Sequence, residues 1–439
     1  MTTSDADSFM WWRIGDWMLN HHQIIHTEIF SHTRFDTLFI TKEWLAGILY
    51  AAAGTTWGLY GFVLVAATAI ATAFALLHRQ LLREGSDPFA STLVVLLAAW
   101  ASSCHWMARP HVFSFLLILF AHTFLRDFQR GGPARTMILK LTLLTILWVN
   151  LHGGFIAVLF LTGAHWLGAI IERNRQKTTA LSLALLFCAI ACLVNPNGWN
   201  LPLHNLQFLS SKYLTGWVTE FRSPNFHSAD LHGFIVWLAL TFIVLAVLRP
   251  KLSPADAIVL IMWTGFALQM MRNIPLTVIV AAPILTPAIS EWVRARWILQ
   301  LPKTNGWPIL SAALAVAVFI PRPVEVSTKD WPVDAVRFIR KSNLTGNMFN
   351  QYMWGSYLLH ELPEHKVFID SREDFYGEPF LREFDATAGL NTNWTAALVK
   401  YDVRWTLMPT SHRLNQALAA SGWHCLYSND VAMIYRKPE

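Results

Sequence analysis

Charged residues are scarce in this sequence of 439 residues, because Asp, Glu, Lys and Arg make up only 14% of it. Soluble globular proteins usually carry about 25% charged residues. An apolar content of 54% excludes a disordered chain, and the lack of basic clusters argues against a nucleic-acid binder. The polar C-terminal part has no Gly-rich phosphate loop, no zinc motif and no Ser-His-Asp order. A separate soluble enzyme of these kinds is therefore not expected.

Cysteines are also few. Cys104, Cys188 and Cys192 lie in apolar runs, and Cys425 stands alone in the polar C-terminal part. No CxxC pair occurs, so neither a disulfide framework nor a cysteine metal site can be built. The spacing of Cys188 and Cys192 places them on one helix face, where packing is the expected role.

The charges are distributed unevenly along the chain. Residues 1–324 contain 22 basic and 14 acidic side chains, whereas residues 325–439 contain 12 basic and 14 acidic ones. The first part is apolar with basic spots, and the second has the composition of a soluble domain. We predict three regions: an extracytoplasmic interfacial segment at 1–56, a transmembrane helical domain at 57–324 and an extracytoplasmic α/β domain at 325–439.

Apolar stretches of the length that can cross a bilayer recur between residues 57 and 324. They predict a polytopic helical bundle of about ten spans. The predicted spans are 57–77, 89–108, 111–126, 137–150, 154–172, 179–195, 232–248, 256–271, 275–293 and 307–321.

Loop charges predict the orientation of this bundle. The loops on the side that follows the first span hold 14 basic residues, and the loops between spans on the opposite side hold four. Basic residues are enriched in cytoplasmic loops, so the C-terminal domain is expected outside the cytoplasm. Residues 1–56 must then also lie outside, and we expect one further N-terminal helix to precede them.

Unusual polar residues collect in the predicted outer turns. Polar and ionisable side chains near helix ends need partners or a water-filled cavity in a bilayer, so these turns predict a shared polar cavity. The alternative is that short loops need turn formers and that arginines reach toward lipid headgroups. The candidate substrate-binding residues in these turns are Arg109, His111, Asn150, His152, Arg222 and Arg272.

The N-terminal segment combines tryptophans with carboxylates. Trp11, Met18 and Ile25 indicate an amphipathic helix that lies along a membrane surface. A carboxylate at such a surface loses hydration, which raises its pKa toward the range of a general base. Solvation or helix capping is the alternative role for most of these groups. Asp7 and Glu28 are the candidate catalytic acids, and Asp16 and Glu43 are candidate substrate-binding residues.

Several motifs carry a resemblance to a known family. The segments that carry it are 7–19, His26-Thr27-Glu28-Ile29-Phe30-Ser31-His32-Thr33, Glu43-Trp44-Leu45, Arg109-Pro110-His111, Trp148-Val149-Asn150-Leu151-His152-Gly153-Gly154 and Arg272-Asn273-Ile274-Pro275. Together they resemble a large, poorly characterised bacterial membrane family over nearly the whole chain. That family is similar to the GT-C glycosyltransferases, which include protein mannosyltransferases, the aminoarabinose transferase and oligosaccharyltransferases.

The resemblance implies a function and a set of roles. Asp7 stands at the catalytic acid of the first outer loop, and Glu28 stands where the family has a second Asp. The implied donor is a sugar on a polyprenyl phosphate, and the implied acceptor is a glycan, lipid or protein. Arg109 and Arg272 suit the departing phosphate, because a guanidinium group matches its geometry. The implied location is the bacterial inner membrane, and Mg²⁺ or Mn²⁺ stays open as a cofactor.

The C-terminal domain alternates helix and strand patterns, which favours an α/β sandwich with a mainly parallel sheet. Asp370 and Arg372 follow the predicted strand 366–370, at the end of a strand where ligands often bind. They are candidate substrate-binding residues, and an ion-paired cluster that fixes a loop is the alternative. The predicted helices are 332–341, 355–362, 379–388, 393–400 and 411–420, and the predicted strands are 347–350, 366–370, 403–408, 423–428 and 431–436.

We therefore predict a membrane glycosyltransferase that acts outside the cytoplasm. Other classes stay open: a transporter or flippase of lipid-linked saccharides, a polymerase or ligase of surface polysaccharides, and a non-catalytic envelope assembly protein. A transporter would need polar residues at mid-helix depth, where the predicted spans are mostly apolar. We expect the N-terminal acids, the arginines of the outer turns and the C-terminal domain to serve one pocket.

Overall fold

The computed structural model describes residues 6–296, 306 and 326–438. These residues form two compact units. We call residues 63–205 and 215–296 the helical unit, and residues 6–62, 206–214 and 326–438 the mixed unit. Residues of the predicted segment 1–56 and of the predicted domain 325–439 thus lie in the same unit.

Helices dominate the chain up to residue 296. Short 3₁₀ turns at Ser103–His105, Pro110–Val112, Gly153–Phe155, Thr219–Phe221, Ala229–Leu231 and Met271–Asn273 separate or extend several of them. The α-helices are α1 Ala6–His21, α2 Trp44–Trp57, α3 Leu59–Arg83, α4 Pro88–Ser102, α5 Phe113–Gln129, α6 Ala134–Leu151, α7 Ile156–Ile171, α8 Arg175–Ala191, α9 Asn200–Ser210, α10 Lys212–Trp217, α11 His232–Ile243, α12 Pro254–Gln269 and α13 Ile274–Arg296.

Seven helical stretches among the described residues are long and apolar enough to cross a membrane. They confirm seven of the predicted spans and a multi-pass membrane protein. These stretches are Leu59–Arg83, Pro88–His105, Pro110–Gln129, Ala134–Leu151, Gly153–Ile171, Ala229–Leu248 and Met271–Arg296.

The remaining predicted spans have different outcomes. The span predicted at 256–271 corresponds to α12, an apolar helix of 16 residues. The span predicted at 179–195 corresponds to α8, whose 17 residues begin with Arg175 and end at Ala191. Both helices are shorter than the roughly 20 residues that a full span needs. The span predicted at 307–321 lies outside the described residues.

Polar caps begin several helices of the helical unit. The Asp87 carboxylate accepts hydrogen bonds from the backbone N–H groups of Phe89 and Ala90, at 2.9 and 3.0 Å. Ser253 caps α12 and Asn174 caps α8 in the same way. These caps satisfy N–H groups that a helix leaves free in its first turn, and they start each helix at a defined residue.

The C-terminal part of the mixed unit contains helices and a four-stranded sheet. The sheet order is β1-β2-β4-β3. Its elements, in chain order, are α14 Val333–Lys341, β1 Asn347–Asn350, α15 Tyr352–Glu361, α16 Glu373–Ala388, α17 Thr395–Lys400, β2 Val403–Pro409, α18 Arg413–Ala420, β3 His424–Ser428 and β4 Ala432–Arg436.

The prediction that the sheet is mainly parallel is wrong. Strands β1 and β2 pair in parallel, but β2–β4 and β3–β4 pair antiparallel. Helical crossovers link β1 to β2 and β2 to β3, so these three strands run in one direction. The closing hairpin then inserts β4 between β2 and β3, which converts both remaining pairings to antiparallel.

The strand predicted at 366–370 is not a strand of this sheet. Val367 forms one isolated parallel bridge with Ser31, and its N–H donates to the Phe30 carbonyl at 3.1 Å. The N–H of His32 donates in turn to the Val367 carbonyl at 3.1 Å. The segment is extended as its apolar residues indicate, but its partner is the N-terminal segment.

Helix α1 covers only part of the amphipathic helix predicted near the start of the chain: Trp11 and Met18 lie in it and are buried in the protein, whereas Ile25 lies beyond its end. Its apolar side packs within the mixed unit, where Phe9 meets Tyr357 of α15 edge to face at 5.1 Å between ring centroids. On the α2 side, Gly15 lies against the backbone of Gly47. A Cβ atom on Gly15 would lie 2.1 Å from the Gly47 carbonyl oxygen. This close approach of two helix backbones therefore requires glycine.

We expect Gly15→Ala to destabilise the mixed unit, because the added methyl group forces α1 and α2 apart. Overpacking of this kind costs about 1–3 kcal/mol. Gly163 is the matched control: it lies in α7, and a Cβ atom there would meet nothing within 4 Å. Gly163→Ala should leave stability unchanged or raise it by about 0.5–1 kcal/mol. Thermal melting of both variants in detergent measures the difference, and equal melting temperatures would contradict the close packing.

Candidate functional site

Two arginines and a glutamate meet in the helical unit, and each comes from a short turn. Arg109 precedes the Pro110–Val112 turn, Glu220 lies in Thr219–Phe221, and Arg272 lies in Met271–Asn273. Glu220 Oε2 lies 3.5 Å from Arg109 Nη1, and Glu220 Oε1 lies 3.6 Å from Arg272 Nη1. The turns themselves are joined, because the N–H of Met271 donates to the Arg222 carbonyl at 3.0 Å. We call Arg109, Glu220 and Arg272, with the histidines below, the arginine–histidine cluster.

The charges of this cluster affect one another. Burial alone would raise the pKa of Glu220, but the charges of Arg272 and Arg109 lower it below its usual range. Glu220 is therefore ionised at neutral pH. Its side chain is 16% exposed, and those of the two arginines are 21% exposed, so each retains a path to solvent. One carboxylate therefore pairs with both arginines.

Three histidines surround these charges. The ring of His105 is 1% exposed and lies 3.6 Å from Glu220, from Nε2 to Oε2. Its neighbour His111 packs ring to ring at 4.2 Å and makes a 2.9 Å hydrogen bond from Nε2 to the His105 carbonyl. His152 lies 6.3 Å from His111 between ring centroids. The cluster therefore adds imidazole groups to the guanidinium pair.

The tautomer of His152 follows from its neighbours. The N–H of Gly154 donates to His152 Nδ1 at 3.1 Å, so Nδ1 is an acceptor and the ring proton is on Nε2. Ser114 Oγ lies 2.7 Å from the same Nδ1 and accepts from Trp148 Nε1 at 2.8 Å. His152 Nε2 lies 3.3 Å from Arg272 Nη2. Two N–H groups, one from each side chain, therefore lie close together at this point.

Two other predicted residues of the helical unit have local roles in the structure. The Asn150 amide donates to the carbonyls of Ile146 and Val194, at 2.7 and 2.9 Å. Arg222 is exposed and donates from Nε to the Gly216 carbonyl at 2.7 Å. Both side chains stabilise turns next to the arginine–histidine cluster. Their substrate-binding roles stay predictions.

A second cluster lies in the mixed unit around Arg372, whose side chain is 4% exposed. Its two Nη atoms bind the Glu28 carboxylate at 2.5 and 3.0 Å. Its Nε and Nη2 bind the Asp370 carboxylate at 2.7 and 2.6 Å. Tyr376 donates its hydroxyl to Asp370 Oδ2 at 2.8 Å. We call this group the Arg372 cluster.

The charged groups of the Arg372 cluster are bound by one another and by nearby backbone N–H groups. Glu28 Oε1 also accepts the N–H groups of Phe30 and Ser31, at 2.8 and 2.6 Å, and Glu28 is fully buried. Burial alone would lower the pKa of Arg372, but the charges of Asp370 and Glu28 raise it well above its usual value. The rings of Phe30, Phe39, Phe375 and Tyr376 lie within 4.9–5.9 Å of its guanidinium carbon. This geometry favours a structural role for Glu28, and its catalytic role stays a prediction.

Asp7 belongs to a different charged group of the mixed unit. Burial, then the charges of Asp374 and Asp7, raise the pKa of Glu373 to about 8. The Tyr352 hydroxyl donates to Glu373 Oε2 at 2.9 Å, and Lys42 Nζ lies 2.8 Å from Asp374 Oδ2. Glu373 is therefore protonated at neutral pH. The charge of Asp7 thus acts on the Glu373 carboxyl group, and Lys42 pairs with the neighbouring Asp374.

The last two predicted acids lie near α1 and α2. Asp16 faces Arg13 at 3.8 Å within α1, which is a weak pair on a partly exposed surface. Glu43 precedes α2 in a left-handed conformation with φ 62°, and its carbonyl accepts the Gly47 N–H at 2.9 Å. The structure thus brings Glu28, Asp370 and Arg372 together, while Asp16 lies apart from their cluster.

Sequence reasoning missed Glu220 and His105 as site residues. Glu220 was visible as the acid of a predicted outer turn, but nothing in the spacing joined it to arginines 111 and 52 residues away. Glu373 was also missed as the partner of Asp7. Among the residues that the structure describes, no group of three or more His, Cys, Asp or Glu could hold a metal ion.

No family model matches the sequence, and no curated protein matches it. In its structure the chain resembles the GT-C glycosyltransferases over nearly its whole length. The expected fold, a polytopic helical bundle with a small C-terminal α/β part, is confirmed.

Two solved proteins illustrate the likeness. The oligosaccharyltransferase of Archaeoglobus fulgidus, in its apo form, matches with a TM-score of 0.63 and 11% identity, over 99% of this chain and 71% of that one. ArnT from Cupriavidus metallidurans, in its apo state, matches with a TM-score of 0.60 and 12% identity, over 98% and 94%. At sequence identities this low, the structural matches establish a shared fold alone.

We expect Glu28→Gln to destabilise the protein, because the variant leaves Arg372 buried with one of its two carboxylates. Breaking a buried ion pair costs about 3–5 kcal/mol. Glu378→Gln is the control, since it breaks an exposed pair with Arg382 and should change stability by less than about 0.5 kcal/mol. Chemical denaturation in detergent measures both. A variant as stable as the wild-type protein would contradict the structural role and return Glu28 to the catalytic candidates.

Proposed function

We propose that this protein is a membrane glycosyltransferase that moves a sugar from a polyprenyl-phosphate lipid to an acceptor on the extracytoplasmic side. The observation that carries the proposal is the arginine–histidine cluster, which concentrates positive charge and N–H donors in the turns between apolar helices. A lipid phosphate needs such groups at the end of a membrane span.

The solved relatives support the choice of donor. One ArnT structure from Cupriavidus metallidurans contains undecaprenyl phosphate, with a TM-score of 0.55 to this chain. The archaeal oligosaccharyltransferase AglB has been solved with an inhibitory peptide and a dolichol-phosphate, with a TM-score of 0.57. Another structure of that enzyme is tethered to an acceptor peptide. We therefore assign this chain a polyprenyl-phosphate donor.

The helical unit serves the leaving group in the proposed reaction. As the bond between the anomeric carbon and the phosphate oxygen breaks, the electron pair stays on the phosphate. The guanidinium groups of Arg109 and Arg272 stabilise this growing negative charge. His152 Nε2–H adds a donor beside Arg272, and Glu220 keeps both arginines in position.

The second part of the proposed reaction concerns the acceptor. Asp7, the acid that resembles the first-loop acid of GT-C enzymes, accepts the proton of an acceptor hydroxyl or amide while that atom attacks the anomeric carbon. Glu373 is protonated at neutral pH, so it does not compete with Asp7 as a base. The acceptor is a glycan, lipid or protein, and Asp370 with Arg372 fixes the part of the mixed unit that receives it.

We expect Arg272→Ala to reduce transfer of a labelled sugar from a polyprenyl phosphate by about 10²–10³-fold, because it removes a donor to the leaving group. Arg126→Ala is the matched control: Arg126 also bridges two carboxylates of the helical unit, Glu84 and Asp256. The measurement is transfer by purified protein in nanodiscs, with and without EDTA to test for Mg²⁺ or Mn²⁺. Equal activities of the two variants would contradict the proposal that Arg272 stabilises the phosphate leaving group. Movement of the lipid across vesicles without transfer would favour a flippase.

We expect Asp7→Asn to lower the turnover number by about 10²–10⁴-fold, because the amide cannot accept the acceptor proton. The control is Asp334→Asn, which removes a carboxylate from the first turn of another helix, α14. Both variants lose one acidic charge from the first turn of a helix, so Asp334→Asn controls for that loss. The readout is single-turnover transfer at saturating donor. Full activity of Asp7→Asn would exclude Asp7 as the base.

A further inference from the structure

We propose that a cavity in the mixed unit binds an acidic sugar unit, whose carboxylate group is held by Arg13 and Lys366. The cavity has a volume of about 270 Å³. None of the residues that line it takes part in the proposed transfer reaction, so this inference goes beyond the proposed function and does not depend on it. Three properties of the lining determine the ligand class: its cations, its apolar rings and its carboxylate.

The cavity lies between two parts of the mixed unit. One part is helix α1 with Ile29 and Phe30, and the other is the end of α15 with residues 363–366. The backbone pairs these parts directly beside the cavity, because the Val367 N–H donates to the Phe30 carbonyl at 3.1 Å. The walls of the cavity are therefore fixed without a ligand. Small-molecule pockets are usually preformed in this way and have volumes of about 300–1,000 Å³, so this smaller cavity has room for a single sugar ring.

The first property is that the two cations of the lining have weak partners. Arg13 Nη1 lies 3.8 Å from Asp16 Oδ2, whereas charge-assisted hydrogen bonds are usually about 2.7–2.9 Å long. Arg13 Nε is buried and has no hydrogen-bond partner among the described residues, which is unfavourable for an N–H donor. Lys366 is exposed, and its Nζ lies 3.2 Å from the centre of the Phe35 ring. A ligand carboxylate would match the planar guanidinium group of Arg13 and the point charge of Lys366.

The second property is the apolar part of the lining. The Trp17 ring stacks on His21 with the ring centroids 4.2 Å apart, and it lines the cavity together with Phe30. Leu359 and Pro363 complete the apolar part. A sugar ring has C–H groups on its faces and hydroxyl groups on its rim, so one face can pack on an aromatic side chain while the rim meets polar groups. A small inorganic anion would leave this apolar lining without a partner.

The third property is the Glu364 carboxylate, which belongs to the one acidic side chain among the described residues that line the cavity. An ionised carboxylate accepts hydrogen bonds and donates none, so it suits the hydroxyl groups of a sugar. It also repels a second negative charge on the ligand. A sugar carboxylate carries one charge, whereas a phosphate monoester carries about −1.5 to −2 at neutral pH. Burial lowers the pKa of the neighbouring His365, so its ring adds no charge there.

The test compares two soluble sugars that differ in one group. Methyl β-glucuronide has a carboxylate where methyl β-glucoside has a neutral hydroxymethyl group. Dissociation constants for both are measured by ligand-observed NMR on the purified protein in nanodiscs of zwitterionic lipid. We expect the wild-type protein to bind the glucuronide about tenfold more tightly, because the carboxylate adds charge-assisted hydrogen bonds. Glucose 6-phosphate should bind more weakly than the glucuronide.

Variants of the lining separate the charge from the apolar contact. Arg13→Gln and Lys366→Gln should each remove most of the preference for the glucuronide and leave the affinity for the glucoside unchanged. Lys366→Arg retains the charge and should retain the preference. Trp17→Leu should weaken binding of both sugars by a similar factor, because it removes a ring and no charge. Lys329→Gln is the matched control, since Lys329 is an exposed lysine of the mixed unit that does not line the cavity.

Thermal melting shows which variants are folded, and Lys366→Gln changes an exposed side chain. A preference for the glucuronide that is lost in Lys366→Gln and kept in Lys329→Gln supports the proposal. A wild-type protein that binds neither sugar, or binds both equally, overturns it, and so does an unchanged preference in Lys366→Gln and folded Arg13→Gln. Tighter binding of glucose 6-phosphate, or of a glutamate-rich peptide, would contradict the acidic sugar as the ligand. These measurements need no sugar donor, so their failure leaves the proposed transfer reaction standing.

Discussion

The mixed unit depends on one buried cation. Arg372 is enclosed by four aromatic rings and bound by two carboxylates, and one of these, Glu28, comes from a segment 344 residues earlier in the chain. Each charge would be strongly unfavourable alone in that environment, so the three groups are stable only together. The extended pairing of Ser31 with Val367 runs beside them. The position of the N-terminal segment is therefore determined by electrostatics as much as by the apolar side of α1.

Much of the fold could be predicted from the sequence, because the information is local. Seven of the ten spans predicted from apolar runs correspond to helices long enough to cross a membrane. Alternating patterns predicted β1, β2, β3 and β4 to within a residue or two. The errors of the sequence-based predictions concern which segments pair with one another. Val367 has the apolar pattern of a strand, yet no pattern states that its neighbour is Ser31 rather than β1. Residues 423–436 predicted a hairpin correctly, but their insertion beside β2 is a property of the whole sheet.

The candidate site could be predicted less well for the same reason. Arg109, His111, His152 and Arg272 were visible as costly residues at helix ends, and the structure brings them together. Nothing in the sequence around Glu220 distinguishes it from other acidic residues. Only its contacts with two arginines from other turns identify it as a site residue. Glu28 is the opposite case. It is conspicuous in the sequence, but in the structure its carboxylate is enclosed by backbone N–H groups and Arg372. A polar residue that is unusual in its local sequence can be identified as a candidate. Only the tertiary arrangement distinguishes a reactive side chain from one whose hydrogen bonds and charge are already satisfied within the fold.

The discontinuity of the mixed unit has a consequence for biogenesis. Its residues come from 6–62, 206–214 and 326–438, and Tyr213 of the middle stretch binds Asp385 of the last at 3.1 Å. A ribosome completes the last stretch only after every helix of the helical unit has been made. Until then Glu28 has no counter-ion and must stay hydrated. The unit therefore matures last, and a translation arrest before Arg372 would leave the Glu28 carboxylate without its cationic partner.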